Sequence, residues 1–169
     1  MIFATIGNDH HQFPRFTNLV SQILATTDYR IFYQHGHTSI DFQHERLTSS
    51  DFISRDKFNT LLVESKVVIC HSGAGTLLQC AYLKKIPFVI PRSVSYNEHI
   101  NEHQLETLNQ FVDLNLAREI KLPLDDSFFS VLSRTMTEDT LYTNRAHPTA
   151  PYSGNLLTSL QQTINAILD

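Results

Sequence analysis

A short run of small and polar residues stands where an apolar stretch gives way to a helical pattern. The apolar stretch Val67 to Cys70 leads into His71, Ser72, Gly73, Ala74, Gly75 and Thr76. A strand, a glycine turn and a helix N-terminus can bind an anion together, because unpaired N–H groups and the positive end of the helix dipole converge on one spot. Thr76 can cap this helix or donate a further hydrogen bond. The alternative is that the two glycines only permit a tight turn.

Three known motifs of similar composition do not fit this turn. A Walker loop requires Gly-Lys-Ser/Thr, and the turn contains no lysine. A dinucleotide fingerprint requires a third glycine where Leu78 stands, and it belongs in the first strand–helix unit. A serine nucleophile elbow requires a glycine two residues before the serine, where Cys70 stands. These motifs therefore leave both interpretations of the turn open.

The pattern His99-Ile-Asn-Glu-His103 has the spacing of a zinc site. Two histidines four residues apart on one helical face can ligate zinc, with Glu102 nearby as a base. Such peptidases also need a distant acidic ligand and a much larger catalytic domain, and the same pattern arises on the polar face of ordinary helices. A zinc metallopeptidase is therefore kept only as a remote alternative, and no metal is expected. His10 and His11 follow the first glycine turn and could reach the cleft, but a solvated face is the preferred assignment.

Strands that alternate with helices must position these residues. Apolar runs predict strands at 2–6, 30–34, 67–70, 88–90 and 117–120, with a weaker strand near 40–42; apolar residues at helical spacing predict helices at 14–25, 56–64, 75–84, 98–111 and 124–136. Nearly continuous apolar strands indicate an α/β fold, a Rossmann-like parallel sheet with helices on both faces. Ligands bind such sheets beyond the carboxyl ends of the strands. The turns at Gly7-Asn8, at 34–36 and at 71–75 should therefore open on one edge.

Composition describes a globular protein without indicating its chemistry. The chain has 169 residues and a net charge of −4, which gives no reason to expect binding to nucleic acid. Its two cysteines stand in apolar surroundings, which suits a reducing cytoplasm. We find no signal peptide and no apolar run long enough to span a bilayer. We expect a Rossmann-like domain over residues 1–141. Residues 142–169 should form a loop and an amphipathic helix (155–168), which either packs on the sheet or docks a partner.

Several motifs together, in order along the chain, resemble a known family. "CHSGAGT", "KKIPFVIPR", "NEHINEHQLE", the opening "IFATIGN…FPRFTNLV" and "YQHGHT" are similar to the C-terminal domain of family 28 glycosyltransferases. More narrowly, they resemble the donor-binding subunit of two-part UDP-sugar transferases that build lipid-linked oligosaccharides, exopolysaccharides and capsules. The resemblance covers about residues 1–117. It implies the nucleotide-sugar-binding half of a GT-B fold.

The resemblance also implies roles for individual residues. The donor-binding positions would be Gly7, Asn8, Ser72, Gly73, Ala74, Gly75, Thr76, Gln79, Arg92, Glu98 and Gln104, with catalytic roles for His71 and His103. The glycine turn would surround the diphosphate, Arg92 would lie near the nucleotide, and Glu98, His103 and Gln104 would face the sugar hydroxyls or the phosphate. Two positions depart from the family pattern. Gln79 stands where relatives usually carry an acidic residue for the ribose, and Asn8 stands where threonine is more usual.

The implied reaction transfers a sugar from a UDP-sugar to a lipid-linked acceptor with inversion and without a metal or other cofactor. By resemblance, the partner would be a membrane-anchored acceptor-binding subunit that holds this chain at the cytoplasmic face of the membrane. The alternative is a non-catalytic, nucleotide-binding regulatory subunit of such a transferase, which Gln79 favours.

Overall fold

Six short strands form one parallel sheet in the part of the chain that the structure describes. The computed structural model describes residues 1–138. Its strands are β1 (Ile2–Thr5), β2 (Ile31–Gln34), β3 (Leu47–Ser50), β4 (Val67–Cys70), β5 (Phe88–Val89) and β6 (Arg118–Glu119). They lie in the order β3-β2-β1-β4-β5-β6, and every neighbouring pair is parallel. In register, Ile2 of β1 lies beside Ile31 of β2 and Val67 of β4. The predicted Rossmann-like α/β fold is confirmed.

Within residues 1–138, five helices cover both faces of this sheet. They are α1 (Pro14–Thr26), α2 (Arg55–Glu64), α3 (Ala74–Tyr82), α4 (His103–Asp113) and α5 (Asp126–Thr137), and a 3-10 turn lies at Val94–Tyr96. Alternate β1 residues enter opposite cores, because successive strand side chains point to opposite faces. Ile2 and Ala4 join the core under α1 and α5, whereas Phe3 joins the core under α2, α3 and α4. None of the helices within residues 1–138 is long and apolar enough to cross a membrane.

The ends of several elements show how local sequence shapes the fold. Pro14 starts α1, where its missing N–H costs no hydrogen bond. Ser54 caps α2 by accepting from the Lys57 N–H, and Asp125 caps α5 by accepting from the Phe128 N–H. Cys70 and Cys80 are free and fully buried, and burial raises the pKa of each thiol. They contribute to the core, as their apolar surroundings predict.

Two predicted elements are wrong. The strand predicted near 40–42 does not form; the third strand is β3, whose polar residues at the sheet edge are half-buried or exposed and so give no apolar run. The helix predicted from residue 98 begins only at His103. Asn97 has a φ of 56°, in the left-handed region, which separates the 3-10 turn from the following segment. The segment 142–169, with its predicted helix at 155–168, lies outside the described residues.

Candidate functional site

The sheet reverses its strand order between β1 and β4. Strands β2 and β3 extend to one side of β1, and β4, β5 and β6 extend to the other. The connections that follow β1 and β4 diverge at this point, which leaves a crevice at their carboxyl ends, where ligands bind in open α/β sheets. The loop after β1 carries Gly7 and Asn8, and the turn after β4 carries His71 to Gly75. The glycine turn therefore lies where this architecture offers its ligand site.

The N terminus of α3 presents backbone donors beside this crevice. Gly73 is the cap residue, and no side chain accepts a hydrogen bond there. The N–H groups of Thr76 and Leu77 bond to the Gly73 carbonyl, whereas the N–H groups of the first helical residues have no intrahelical acceptor. The positive end of the helix dipole lies at the same place. The arrangement suits an anionic ligand.

The imidazole of His71 lies between two glycines. A Cβ built on Gly73 would lie 2.3 Å from Nε2 of His71, and one built on Gly7 would lie 2.7 Å from its Cε1. Both distances are far shorter than a van der Waals contact, so neither position accepts a side chain while the ring stays there. Gly7 also has a φ of 71°, which glycine adopts without strain. Glycines at these two positions therefore make room for the ring.

His71 is neutral at pH 7. Burial, followed by the positive charge of Arg92, lowers its pKa from 6.5 to about 4. Its Nδ1 is buried and has no hydrogen-bond partner within the described chain. A neutral imidazole offers one donor and one acceptor, and a bound anion would favour its protonated form. His71 is thus a buried polar group that an anionic ligand could satisfy.

A glutamine in β2 ties the neighbouring loops together. Gln34 is buried, and its Nε2 donates to the carbonyl oxygens of Gly7 and Asp51, each over 2.9 Å. Its Oε1 accepts a hydrogen bond from the Thr5 hydroxyl. A Cβ on Gly36 would lie 2.9 Å from the Gly7 carbonyl oxygen. The loops after β1 and β2 are therefore in contact, and the prediction that the glycine turns open on one edge is confirmed.

Comparison with known proteins identifies the family. Residues 2–149 match the glycosyltransferase family 28 C-terminal domain. The chain belongs to this family. Among curated proteins, no sequence match is found.

Several solved glycosyltransferases share this fold at low sequence identity. The kitacinnamycin glycotransferase has 15% identity to this chain and a TM-score of 0.63, and the match covers 98% of this chain and 39% of that protein. The calicheamicin glycosyltransferase CalG4 has 13% identity and a TM-score of 0.63, with coverage of 99% and 39%. VinC, solved in complex with dTDP, has 14% identity and a TM-score of 0.55, with coverage of 98% and 37%. The chain thus spans about two fifths of the length of these proteins and shares the fold of GT-B glycosyltransferases.

The remaining positions near the turn of this family 28 domain differ in exposure. Asn8 and Gly75 are exposed, and Ala74, Thr76 and Gln79 are half-buried. A Cβ on Gly75 would have no atom within 4 Å. Gln79 follows Gly75 by four residues and so lies on the same face of α3, one turn further along. The open space at Gly75 is compatible with a ligand close to the backbone.

In this chain, Arg92 connects the loops behind the glycine turn. The side chain is fully buried, and its guanidinium donates to the carbonyl oxygens of Ile6 (3.2 Å), His11 (2.8 Å) and Glu98 (3.2 Å). Its backbone N–H donates to Gln104 Oε1 over 3.2 Å, and the Ser72 hydroxyl donates to the same oxygen over 3.5 Å. Arg92 and Gln104 therefore lie directly behind the glycine turn. A direct contact of Arg92 with nucleotide stays a prediction.

Glu98 and His103 occupy different environments from each other. Glu98 is fully buried, and its carboxylate accepts from Arg15 Nε over 2.9 Å and from the Ser93 N–H over 3.2 Å. His103 is the first residue of α4, with a side chain 74% exposed and its Nδ1 3.1 Å from Glu106 Oε2. The structure gives Glu98 a partner within the protein and leaves His103 on the surface. Their predicted contacts with the sugar stay predictions.

The zinc pattern at 99–103 is not formed. His99 precedes α4 and His103 begins it, so the two histidines do not share a helical face. His99 Nε2 instead lies 3.8 Å from Asp9 Oδ2. The metallopeptidase alternative is therefore wrong.

Sequence reasoning missed a cluster in the loop after β1. Asp9 Oδ1 accepts the His11 backbone N–H over 2.8 Å and lies 2.6 Å from His11 Nδ1. Partial burial would raise the pKa of Asp9, but the hydrogen bonds from His11 and the charge of Arg92 outweigh it and lower the pKa. The His11 side chain is only 22% exposed, so its assignment to a solvated face is wrong; that of His10, 80% exposed, is confirmed. The signal was an aspartate two residues before a histidine, a pattern typical of Asx turns.

Proposed function

We propose that this chain is the donor-binding part of an inverting glycosyltransferase that uses a UDP-sugar. The observation that carries the proposal is the uncapped N terminus of α3 beside His71, whose ring lies between Gly7 and Gly73 at the strand-order reversal. Family membership supports a nucleotide-sugar donor, and VinC, which has this fold, was solved with a nucleoside diphosphate. Uridine as the base follows from the resemblance of the motifs.

The proposed chemistry is displacement at the anomeric carbon. An acceptor hydroxyl oxygen forms a bond to that carbon from one face while the bond to the diphosphate oxygen breaks on the other, which inverts the configuration. Negative charge then grows on the departing diphosphate. Fixed N–H groups, the dipole of α3 and the His71 ring would stabilise it at that point. The acceptor proton must pass to a general base, which we expect on the acceptor-binding half.

The acceptor side of the proposal rests on the resemblance. A membrane-anchored subunit would present a lipid-linked sugar and hold this chain at the cytoplasmic face of the membrane. Binding both reactants in one cleft is a large part of what such an enzyme contributes. The segment 155–168, outside the described residues, is our candidate for docking. Co-expression with a membrane subunit, with and without residues 155–169, tests it, and full transfer activity of the purified chain alone would contradict a two-part enzyme.

The donor site is tested by UDP titration of variants at Gly75. Because a Cβ there meets nothing within 4 Å, Gly75→Ala and Gly75→Val should fold normally. If the diphosphate lies against this backbone, Gly75→Val should weaken UDP binding by more than about 1 kcal/mol, the scale of a lost hydrogen bond to a charged group. His71→Ala should have an effect of similar size.

The control is Thr60→Val, a near-isosteric change at an exposed position of α2. It should leave the UDP affinity unaltered. Equal UDP affinity of folded Gly75→Val, His71→Ala and the unmodified chain would refute the site.

A second candidate is a non-catalytic subunit that binds nucleotide and regulates a partner. Gln79 favours it, because an amide lacks the charge that strengthens hydrogen bonds to ribose hydroxyls. Sugar transfer in the presence of the partner separates the two candidates. Tight UDP binding without transfer, at any partner concentration and with several UDP-sugars, would favour the regulatory role.

A further inference from the structure

We propose that Asp9, His10, His11 and His99 form a binding site for one divalent transition-metal ion of the zinc type. This site lies outside the donor-binding function proposed above, and neither requires the other. Its residues come from two loops at the carboxyl edge of the sheet, the loop after β1 and the segment between the 3-10 turn and α4. Three imidazoles and one carboxylate are a donor set that suits Zn²⁺, Co²⁺, Ni²⁺ or Cu²⁺ better than Mg²⁺ or Ca²⁺.

The ligand atoms are already close to the spacing that a metal requires. One atom each from Asp9, His10 and His11 lies within 4.8 Å of the other two. Asp9 Oδ1 lies 2.6 Å from His11 Nδ1 and 3.9 Å from His10 Nδ1, and Asp9 Oδ2 lies 3.8 Å from His99 Nε2. Ligands about 2.0–2.1 Å from a tetrahedral zinc lie about 3.3 Å apart. The distances within Asp9, His10 and His11 fall on both sides of this value, so rotations of these side chains can bring them to it, whereas His99 lies near Asp9 but outside the group whose ligand atoms are all within 4.8 Å of one another.

The fourth ligand is oriented by its own backbone. His99 Nδ1 lies 3.0 Å from the Asn101 carbonyl oxygen. The Asn101 backbone N–H also donates to Nδ1 over 3.3 Å, so both tautomers of His99 find a partner there, and the Nδ1–H tautomer is the one that leaves the Nε2 lone pair free for a metal. Histidine ligands of metals commonly donate their other N–H to a carbonyl in this way, which fixes the ring.

Burial separates this cluster from a chance group of surface histidines. The side chains of Asp9, His11 and His99 are only 24%, 22% and 18% exposed. The rings of His10 and His11 have centroids 4.1 Å apart, and those of His11 and His99 are 6.2 Å apart. Three donors are thus held in place, while His10, 80% exposed, can close over the ion from solvent. The metal must displace the hydrogen bond between His11 and Asp9, which sets the affinity below that of a preformed empty site.

Metal binding to the full-length chain tests the proposal. Titration with Zn²⁺ by calorimetry should show one equivalent bound, and Co²⁺ should give the strong visible absorption of a tetrahedral complex rather than the weak bands of the hydrated ion. His11→Ala and His99→Ala should each weaken binding at least tenfold, since even changes to residues behind a metal's ligands cost about 10–100-fold. His10→Ala should also weaken binding and, because the side chain is exposed, should leave the fold unaltered.

The matched control is His37→Ala, an exposed histidine on the same edge of the sheet. It should bind Zn²⁺ like the unmodified chain. Absence of saturable binding, or equal affinity in the folded His10→Ala variant and the His37→Ala control, would overturn the site. UDP titration of the metal-free chain is independent of these results, so failure of the metal site and failure of the donor site can be told apart.

Discussion

Replacing Gly73 by alanine should displace His71 and destabilise the fold. The new Cβ would lie 2.3 Å from Nε2, 2.9 Å from Cε1 and 3.1 Å from Cδ2 of the ring. The Gly7 backbone passes the other side of the ring so closely that a Cβ there would lie 2.7 Å from Cε1. Gly73 itself has a φ of −68°, so alanine strains no backbone angle there. The destabilisation should therefore come from the ring, at about 1–3 kcal/mol for overpacking of this kind.

A double-mutant cycle separates this clash from the loss of a good helix cap. Alanine is a poorer cap residue than glycine, by about 0.5–1 kcal/mol, and this cost should persist when the ring is absent. Gly73→Ala should then destabilise the His71→Ala chain by only the capping cost. The two mutations should show a coupling energy of at least about 1 kcal/mol, as contacting residues do.

Urea denaturation gives the four free energies of unfolding from the midpoints and slopes. Gly75→Ala is the matched control, because its Cβ meets nothing within 4 Å and alanine favours the helix by up to about 1 kcal/mol. Equal destabilisation by Gly73→Ala in the presence and absence of His71 would show that the ring does not occupy this position.

Three further predictions concern charge. The pKa of His71 is about 4 in the folded chain and 6.5 when the side chain is exposed. The contribution of His71 to the free energy of unfolding should therefore be complete above pH 6.5 and fall by roughly 3 kcal/mol towards pH 4. Urea midpoints should fall less steeply with decreasing pH in His71→Asn than in the unmodified chain, and parallel pH profiles of the two would contradict this prediction. Glu98→Gln should destabilise the fold by about 3 kcal/mol, because it leaves Arg15 without its buried partner. Asp28→Asn, a change to the exposed carboxylate that pairs with Arg46, should barely move the urea midpoint, and similar shifts in the two variants would refute a special role for Glu98. Gln79→Glu should tighten UDP binding in calorimetry and leave the affinity for free diphosphate nearly unaltered, and equal effects on both would exclude a ribose contact.

The sheet could be predicted because its central strands are buried on both faces. Runs such as Val67 to Cys70 are continuous in apolar residues for this reason, and the parallel order then places the glycine turns on one edge. Strand β3 gave no such signal, because an edge strand with solvent on one side can be polar. The candidate turn was therefore found, while one strand was assigned about seven residues too early.

Contacts between residues far apart in the sequence explain why the predicted start of α4 differs from the observed one. Arg15 and Glu98 are 83 positions apart, and their ion pair lies in the segment that was predicted as the start of α4. The neighbours of His99 come from the loop after β1, so its separation from His103 could not be read from the local pattern. The periodicity of apolar residues indicates which face of a helix or strand is buried, but it does not predict which loops will be in contact.

Arg92 has a consequence for the motions of the loop after β1. Its guanidinium binds carbonyl oxygens on both sides of Gly7, at Ile6 and His11, from a fully buried position. Loops near ligand sites usually open with little free energy, but opening this one would remove two of the three carbonyl oxygens that accept from the buried guanidinium. Amide hydrogen exchange in the loop should therefore be nearly as slow as in β1. A donor nucleotide would then meet a loop that is already ordered and would lose little affinity to fixing it on binding.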